Sequence, residues 1–357
     1  MRLKNFYFVG SAHLDPVWMW RWQEGSCEAK ATIRSALDRM KEFPEFNFVC
    51  GASSVFQWIE EFDPDMFAEI KQRVQEGRFV IVNGWYVQPD CNLPSGEGFA
   101  RQSLYGQRYF FEKFGVTART GYNVDSFGHN ASIPQILVKS GMDSYIAMRP
   151  NHLEKSYPSH VLRWRSPDGS EVLFARILRA YGTTRTMLDQ YCEYLLNVDD
   201  AKALYKRMEE VNDLAGDDCD SSFVFFGVGN HGGGPTIRNL KAIRQIKQEH
   251  PELKVCISNT HDYLDSHKAR WADIPVIEGD LQHHASGCYS AVSAIKNGVR
   301  RAEWAMFSAE NFAMLAHGAM GKTIPSPKEF EKAWENVLFA HFHDSLGGCS
   351  AKAIYED

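Results

Sequence analysis

Short apolar runs and longer amphipathic stretches alternate over the first two thirds of the chain. The short runs have the length of buried strands, and the longer stretches place apolar residues three and four positions apart, as helices do. The predicted strands lie at 6–10, 46–50, 79–82, 119–124, 144–148, 222–226 and 254–257. The predicted helices lie at 28–43, near 55–76, at 97–114, between the strands at 119–124 and 144–148, and at 236–248.

One pair of predicted strands forms a hairpin, because the turn signal 166–169 separates the runs 161–165 and 171–175. Elsewhere strands alternate with helices, and this order requires crossover connections. The predicted fold class is therefore α/β, with a mainly parallel sheet or an irregular (β/α) barrel and helices on the outside. In such folds the active site lies at the carboxyl ends of the strands.

The pattern changes near residue 290. Residues 290–317 and 326–341 have the character of long helices, with Pro325 and Pro327 at the boundary between them. We predict an α/β catalytic domain over 1–270, followed by a helical-bundle segment over 271–357.

Composition narrows the class of protein. The 357 residues carry a net charge of −6, which argues against nucleic acid or an anionic membrane as the main partner. No apolar stretch approaches the roughly 18 residues of a membrane span, and the first residues do not resemble a signal peptide. The eight cysteines form no C-x-x-C pair and are expected to be reduced thiols. We expect a cytoplasmic protein; a homo-oligomer is left open.

The first strand is followed directly by an H-x-D motif, His13-Leu14-Asp15. An imidazole and a carboxylate on one loop suit a divalent ion such as Zn²⁺. The alternative is a capped loop in which both side chains bind only the backbone.

Asp125 follows another predicted strand, within the segment 123–130. The predicted helix after it begins near Ser132, seven residues on, which is too far for Asp125 to cap. A functional role is therefore favoured.

A glycine-rich loop spans 227–236, after the strand at 222–226. It lacks the Lys-Ser/Thr ending of a P-loop and does not fit the dinucleotide motif. We expect a loop that allows close approach of a ligand, and the alternative is a flexible turn.

His343 and Asp344 lie at the end of the second long helix. The alternative to a functional role is simple packing, with the imidazole favoured by the helix dipole. Together with His13, Asp15 and Asp125, these residues supply two imidazoles and further carboxylates, which is a suitable ligand set for zinc.

The chain resembles the zinc-dependent α-mannosidases of glycoside hydrolase family 38. Several separated motifs in the same order carry the resemblance, which covers most of the chain. They are His13–Trp18, Pro89–Glu97 with Arg101-Gln102, Asp125–His129, Met148–Pro150, the glycine-rich loop and His343-Asp344.

This resemblance implies a role for each matching residue. The ligands of one zinc ion are expected to be His13, Asp15, Asp125 and His343. Asp125 is also expected to be the nucleophile of a retaining hydrolase. Trp18 is expected to lie under the sugar, and Arg149 and Asp344 to bind its hydroxyls. The expected substrate is a glycan with terminal α-mannose, and β-rich domains are expected beyond the helical segment.

The acid/base departs from the family pattern, in which many members carry an aspartate in the glycine-rich loop. This chain has Asn230 and His231 there. An asparagine cannot donate and recover a proton, whereas a histidine can. We assign His231 as the acid/base or as a substrate contact, with Asp90 as the second candidate and a predicted substrate-binding residue.

Two other functions remain open. One is a zinc-dependent carbohydrate deacetylase, which would release acetate rather than mannose. The other is a non-catalytic sugar-binding fragment. The aromatic Trp18 and the remote His343 favour the mannosidase.

Overall fold

The computed structural model describes residues 1–182, 200–216, 219–229, 232–282 and 284–356. The strands are β1 (Asn5–Gly10), β2 (Phe48–Gly51), β3 (Phe79–Val82), β4 (Thr120–Tyr122), β5 (Ser144–Ala147), β6 (Val161–Arg165), β7 (Glu171–Arg176), β8 (Ser221–Phe226), β9 (Lys254–Ser258) and β10 (Val276–Glu278). The helices are α1 (Trp22–Glu42), α2 (Ser53–Phe62), α3 (Pro64–Gln75), α4 (Gly96–Phe114), α5 (Ile133–Lys139), α6 (Ala201–Leu214), α7 (Ile237–Glu249), α8 (Thr260–Lys268), α9 (Ser293–Met320), α10 (Pro327–Ala340) and α11 (His343–Gly347).

The strands form three sheet segments, ordered β8-β1-β9, β2-β3 and β10-β6-β7-β5-β4. Among the described residues every ladder is parallel except β6–β7, which is the predicted hairpin. A parallel bridge between Ser11 and Val49 connects β1 to β2. A 2.8 Å hydrogen bond from the Asn83 amide to the Thr120 carbonyl connects β3 to β4. The α/β class with mainly parallel strands is confirmed, while a closed barrel and a helical bundle stay predictions.

The side chains of β1 alternate between two hydrophobic clusters. Phe6 and Phe8 are buried against the helices. Val9 points the other way and packs with Val49 and Ile146 from other strands. Because both faces of β1 are buried, its carboxyl end is held rigidly, and the loop that carries His13 starts from there.

Several boundaries differ from the sequence prediction, among them the starts of α1 and β2. The first helix begins at Trp22 rather than at 28, and Gly25 lets its first turn approach the preceding loop. A Cβ at Gly25 would lie 2.1 Å from the Pro16 carbonyl oxygen. The second strand begins at Phe48 rather than at 46, because the Phe46 amide bonds the Phe43 carbonyl in a turn. Phe46 is apolar because its side chain belongs to the core, not because it pairs in a sheet.

Two long helices follow residue 290, as predicted. They are α9, over Ser293–Met320, and α10, over Pro327–Ala340. The second is started by a capping box between Ser326 and Glu329, with Pro327 in its first turn. Among the helices of the described ranges, none combines the length and the apolar character that crossing a membrane requires.

Candidate active site

Three separate segments bring the predicted zinc ligands together. His13 and Asp15 lie on the loop after β1, Asp125 lies on the loop after β4, and His343 begins α11. His13 Nε2 lies 2.7 Å from Asp15 Oδ1 and 3.9 Å from Asp125 Oδ2. His343 Nε2 lies 3.8 Å from Asp15 Oδ1. Residues far apart in the sequence therefore face one another at the carboxyl ends of the strands.

His13, Asp15 and His343 form a group whose ligand atoms all lie within 4.8 Å of one another. All three side chains are buried. Within the described part of the chain, His13 Nε2, Asp15 Oδ1 and His343 Nε2 have no hydrogen-bond partner of acceptable geometry. Buried polar atoms without a partner are costly, so their convergence fits a bound cation. Asp125 lies beside this group but is not one of the three.

The charge around His13 also favours a cation. Burial lowers the pKa of the His13 imidazole, but the nearby carboxylates of Asp15, Asp125 and Asp344 outweigh burial and raise it to about 9. Carboxylates therefore crowd this imidazole, and a divalent ion would neutralise them.

His343 is oriented by a backbone carbonyl. Its Nδ1 lies 2.8 Å from the Gln88 carbonyl oxygen, to which it donates. The Nδ1–H tautomer leaves the lone pair of Nε2 directed toward Asp15. A ligand histidine held through its second nitrogen is the usual arrangement at metal sites.

Asp125 is held by a guanidinium and a phenol. Arg149 Nε donates to Asp125 Oδ1 at 2.7 Å, and the Tyr181 hydroxyl donates to Asp125 Oδ2 at 3.2 Å. Burial alone would raise the pKa of Asp125, but the charges of Arg149, His13 and His343 keep it below its usual value. Asp125 is therefore an ionised carboxylate in a partly buried position.

Arg149 is itself fixed by further polar groups. Its guanidinium contacts His284, which in turn contacts Glu154. Its carbonyl accepts from His129 Nε2 at 3.1 Å, and the Tyr145 hydroxyl donates to His129 Nδ1 at 2.7 Å. Burial lowers the pKa of His129 to about 3, so this imidazole is neutral and donates through one nitrogen only.

Asp344 and Trp18 lie on segments next to the ligand group. Asp344 Oδ2 is 4.0 Å from His343 Nε2, and its Oδ1 accepts from the Cys349 thiol at 2.9 Å. Burial raises the pKa of Asp344 to about 6. Trp18 is half-buried, and its carbonyl accepts from the Ala351 amide at 2.7 Å. The loop after β1 is thereby joined to the chain that follows α11.

Asp90 is fully buried, and the two oxygens of its carboxylate differ in their hydrogen bonds. Oδ1 accepts from the amides of Asn92 and Leu93, at 2.8 Å each. Oδ2 is buried and has no hydrogen-bond partner among the described residues. Burial raises the pKa of Asp90. One oxygen fixes the turn, and the other is free for a ligand.

The glycine-rich loop is described at 227–229 and 232–236, so His231 and Asn230 lie outside the described residues. A Cβ at Gly227 would lie 2.3 Å from the Ser11 carbonyl oxygen, and one at Gly232 would lie 2.5 Å from Thr32 Oγ1. Both glycines have positive φ. At these two positions the missing side chain makes room for other atoms of the protein's own chain.

Sequence reasoning missed three neighbours of the predicted site. Tyr181 follows β7, and the rule that active sites lie at strand ends would have found it. His284 lies on a segment without a recognisable element. Gln88 acts through its backbone carbonyl, and a side-chain motif does not reveal such a contact.

Residues 4–283 match the family profile of the glycosyl hydrolases family 38 N-terminal domain, and residues 283–357 match that of the alpha mannosidase middle domain. Alpha-mannosidase G of Dictyostelium discoideum is 29% identical over 98% of this chain and 31% of that protein. Alpha-mannosidase of Saccharomyces cerevisiae is 28% identical over 99% of this chain and 32% of that protein.

An alpha-mannosidase from Enterococcus faecalis has a similar solved structure. It superposes with a TM-score of 0.81 and 22% identity, covering 99% of this chain and 40% of that one. The chain thus spans about a third of the length of the two relatives above. With both profiles matched in sequence order over nearly all of its residues, the chain belongs to glycosyl hydrolase family 38.

Proposed function

We propose that this chain carries the catalytic site of a zinc-dependent, retaining α-mannosidase. The observation that carries the proposal is the position of Asp125. Its ionised carboxylate lies 3.9 Å from His13, at the edge of a group of buried ligand atoms that have no hydrogen-bond partner in the described parts of the chain. Relatives named alpha-mannosidase over nearly all of the chain support the substrate class.

One zinc ion would be held by His13, Asp15, Asp125 and His343. Two imidazoles and two carboxylates suit zinc and leave positions for substrate oxygens. When bound, zinc would orient the sugar through its hydroxyls and stabilise negative charge nearby.

Asp125 is the proposed nucleophile. It attacks the anomeric carbon of the mannoside, the leaving-group oxygen departs, and a glycosyl ester forms on the carboxylate. Arg149 holds Oδ1 and Tyr181 donates to Oδ2, so the carboxylate is oriented before substrate arrives. Water then cleaves the ester, and two inversions give retention.

A second group must protonate the leaving oxygen and later activate the water. His231, in the glycine-rich sequence 227–236, is the proposed acid/base or substrate contact. Asp90 is the alternative, because one of its carboxylate oxygens is buried without a partner in the described structure. Its raised pKa favours the protonated form that an acid requires.

Substrate contacts are assigned to Trp18, Arg149, Asp344 and Asp90. Trp18 is half-buried on the loop that carries Asp15, and this leaves part of the indole for the sugar face. The substrate would be a glycan with a terminal α-mannose. A cytoplasmic location is also proposed, because among the described residues no disulfide involves Cys27, Cys50, Cys91, Cys256, Cys288 or Cys349.

Turnover of an aryl α-mannoside tests the proposal. We expect hydrolysis that a chelator abolishes and Zn²⁺ restores, with α-mannose as the first product seen by NMR. Release of acetate from an acetylated sugar, without mannoside cleavage, would support a deacetylase instead. Sugar binding by the zinc-loaded chain without turnover would support the non-catalytic alternative.

A further inference from the structure

A second buried polar cluster lies beside the turn that carries His343. It comprises Glu303 of α9, His341 and Gln102 of α4, and each has less than a twentieth of its surface exposed. His341 Nε2 lies 3.2 Å from Glu303 Oε1, and Gln102 Nε2 lies 3.4 Å from His341 Nδ1. If the amide donates to Nδ1, the imidazole carries its proton on Nε2, which lies close to the carboxylate but makes no hydrogen bond of acceptable geometry among the described residues.

Glu303 also binds the loop before α4. Its Oε1 accepts from the Ser95 amide at 2.9 Å, and its Oε2 accepts from Arg300 at 2.8 Å. Arg300 donates in turn to the Leu93 carbonyl at 2.8 Å. A carboxylate this deeply buried is costly unless it is fully bonded, and these donors stabilise it.

The same loop pairs with the turn that carries His343. The Asp90 amide donates to the His341 carbonyl at 2.8 Å, and the His343 amide donates to the Gln88 carbonyl at 3.3 Å. The Gln88 carbonyl also fixes the His343 imidazole. Any shift of the loop or of His341 therefore moves the Nε2 that faces Asp15.

Gln102 is hydrogen-bonded both to the loop before α4 and to the end of α10, which leads into the turn that carries His343. Its amide donates to the Leu338 carbonyl at 2.9 Å, and its carbonyl accepts from the Val87 amide at 3.1 Å. Space for the cluster depends on Gly98. A Cβ there would lie 2.5 Å from Glu303 Oε1 and 2.8 Å from His341 Cε1.

We propose that Glu303 is a positioning residue of the metal centre: through His341 and the loop 87–95 it holds the His343 imidazole in the orientation that binds the ion. This inference rests on the proposed metal site. It assigns to α9, which contributes no ligand, a role in keeping the ion bound. Partners that orient a ligand commonly change metal affinity when removed.

The test compares Glu303→Ala with Glu310→Ala in the full chain. Glu310 is a matched control on the same helix, since it bonds Arg101 of α4 at 2.6 Å and Trp334 of α10 at 2.9 Å. It has no contact with the loop 87–95 among its hydrogen bonds in the described structure. The readout is the rate at which bound Zn²⁺ passes to a chromophoric chelator, with the melting temperature of the metal-free protein measured alongside.

We expect Glu303→Ala to release zinc about tenfold faster than wild type, Glu303→Gln to fall between them, and Glu310→Ala to match wild type. Equal release from Glu303→Ala and wild type would overturn the inference, as would equal acceleration in Glu310→Ala. If Glu303→Ala does not fold, Gly98→Ala displaces the same pair without removing a polar group and should also accelerate release. Absence of zinc from the wild type would instead overturn the metal site itself.

Discussion

His13 and His343 of the candidate site and His160 and His267 elsewhere in the fold are all buried, but their partners differ. His13 and His343 face the carboxylate of Asp15, and their Nε2 atoms have no hydrogen-bond partner among the described residues. Three ligand atoms from these side chains converge within 4.8 Å.

His267 and His160 have hydroxyl partners instead. His267 Nε2 lies 3.4 Å from Ser221 Oγ, at the first residue of β8, and His160 Nε2 lies 3.0 Å from the Tyr263 hydroxyl. Neutral hydrogen bonds of this kind stabilise a fold and need no ligand. Burial of a histidine therefore does not identify a site; convergence of imidazole nitrogens and a carboxylate oxygen on one point does.

The largest expected effect is on zinc content. We predict about one zinc per chain in wild type, and a loss of nearly all of it in His13→Ala and in His343→Ala, because each removes a ligand from a small set. His267→Ala should keep its zinc. Its free energy of unfolding should fall by about 1–2 kcal/mol, which lowers the melting temperature. Metal analysis of the three purified proteins checks this.

Full zinc occupancy in both His13→Ala and His343→Ala would erase the distinction between the two groups of histidines. Loss of zinc from a folded His267→Ala protein would also erase this distinction.

A smaller effect is expected at His231, where the reaction needs an acid. His231→Ala should lose roughly 100-fold in kcat/KM on mannosides with poor leaving groups, the lower end of what general acids contribute. It should keep most activity on dinitrophenyl mannoside, whose leaving group needs no proton. Steady-state kinetics on both substrates check this.

Equal losses of His231→Ala on the two substrates would indicate a binding role. The acid would then be sought at Asp90, where Asp90→Asn should show the leaving-group dependence instead.

The sequence predicted most strands because buried strands are short and uniformly apolar. It missed β10, which has only three residues, none of them buried. It also missed α8, whose buried residues include Thr260 and His267 beside Tyr263 and Leu264. A helix with so few apolar contacts lacks the periodic pattern that such reasoning depends on.

The candidate site was predictable where chemistry resides in side chains that follow strands, as for His13, Asp15 and Asp125. His343 was a candidate from its residue type, but its ligand role and the role of Arg149 came from family resemblance, because spacing alone does not place a helix end or a remote arginine near β1. The Gln88 carbonyl, the His284 contact and the Glu303 cluster depend on how distant segments meet, and a single sequence does not record that.

Covalent trapping tests the central claim most directly. The zinc-loaded chain would be treated with 5-fluoro-α-mannosyl fluoride, digested and mapped by mass spectrometry. We expect one mannosyl label per chain on the peptide that contains Asp125, and no label in Asp125→Ala. A label on any other residue of the metal-loaded protein would contradict the assignment of Asp125 as the nucleophile.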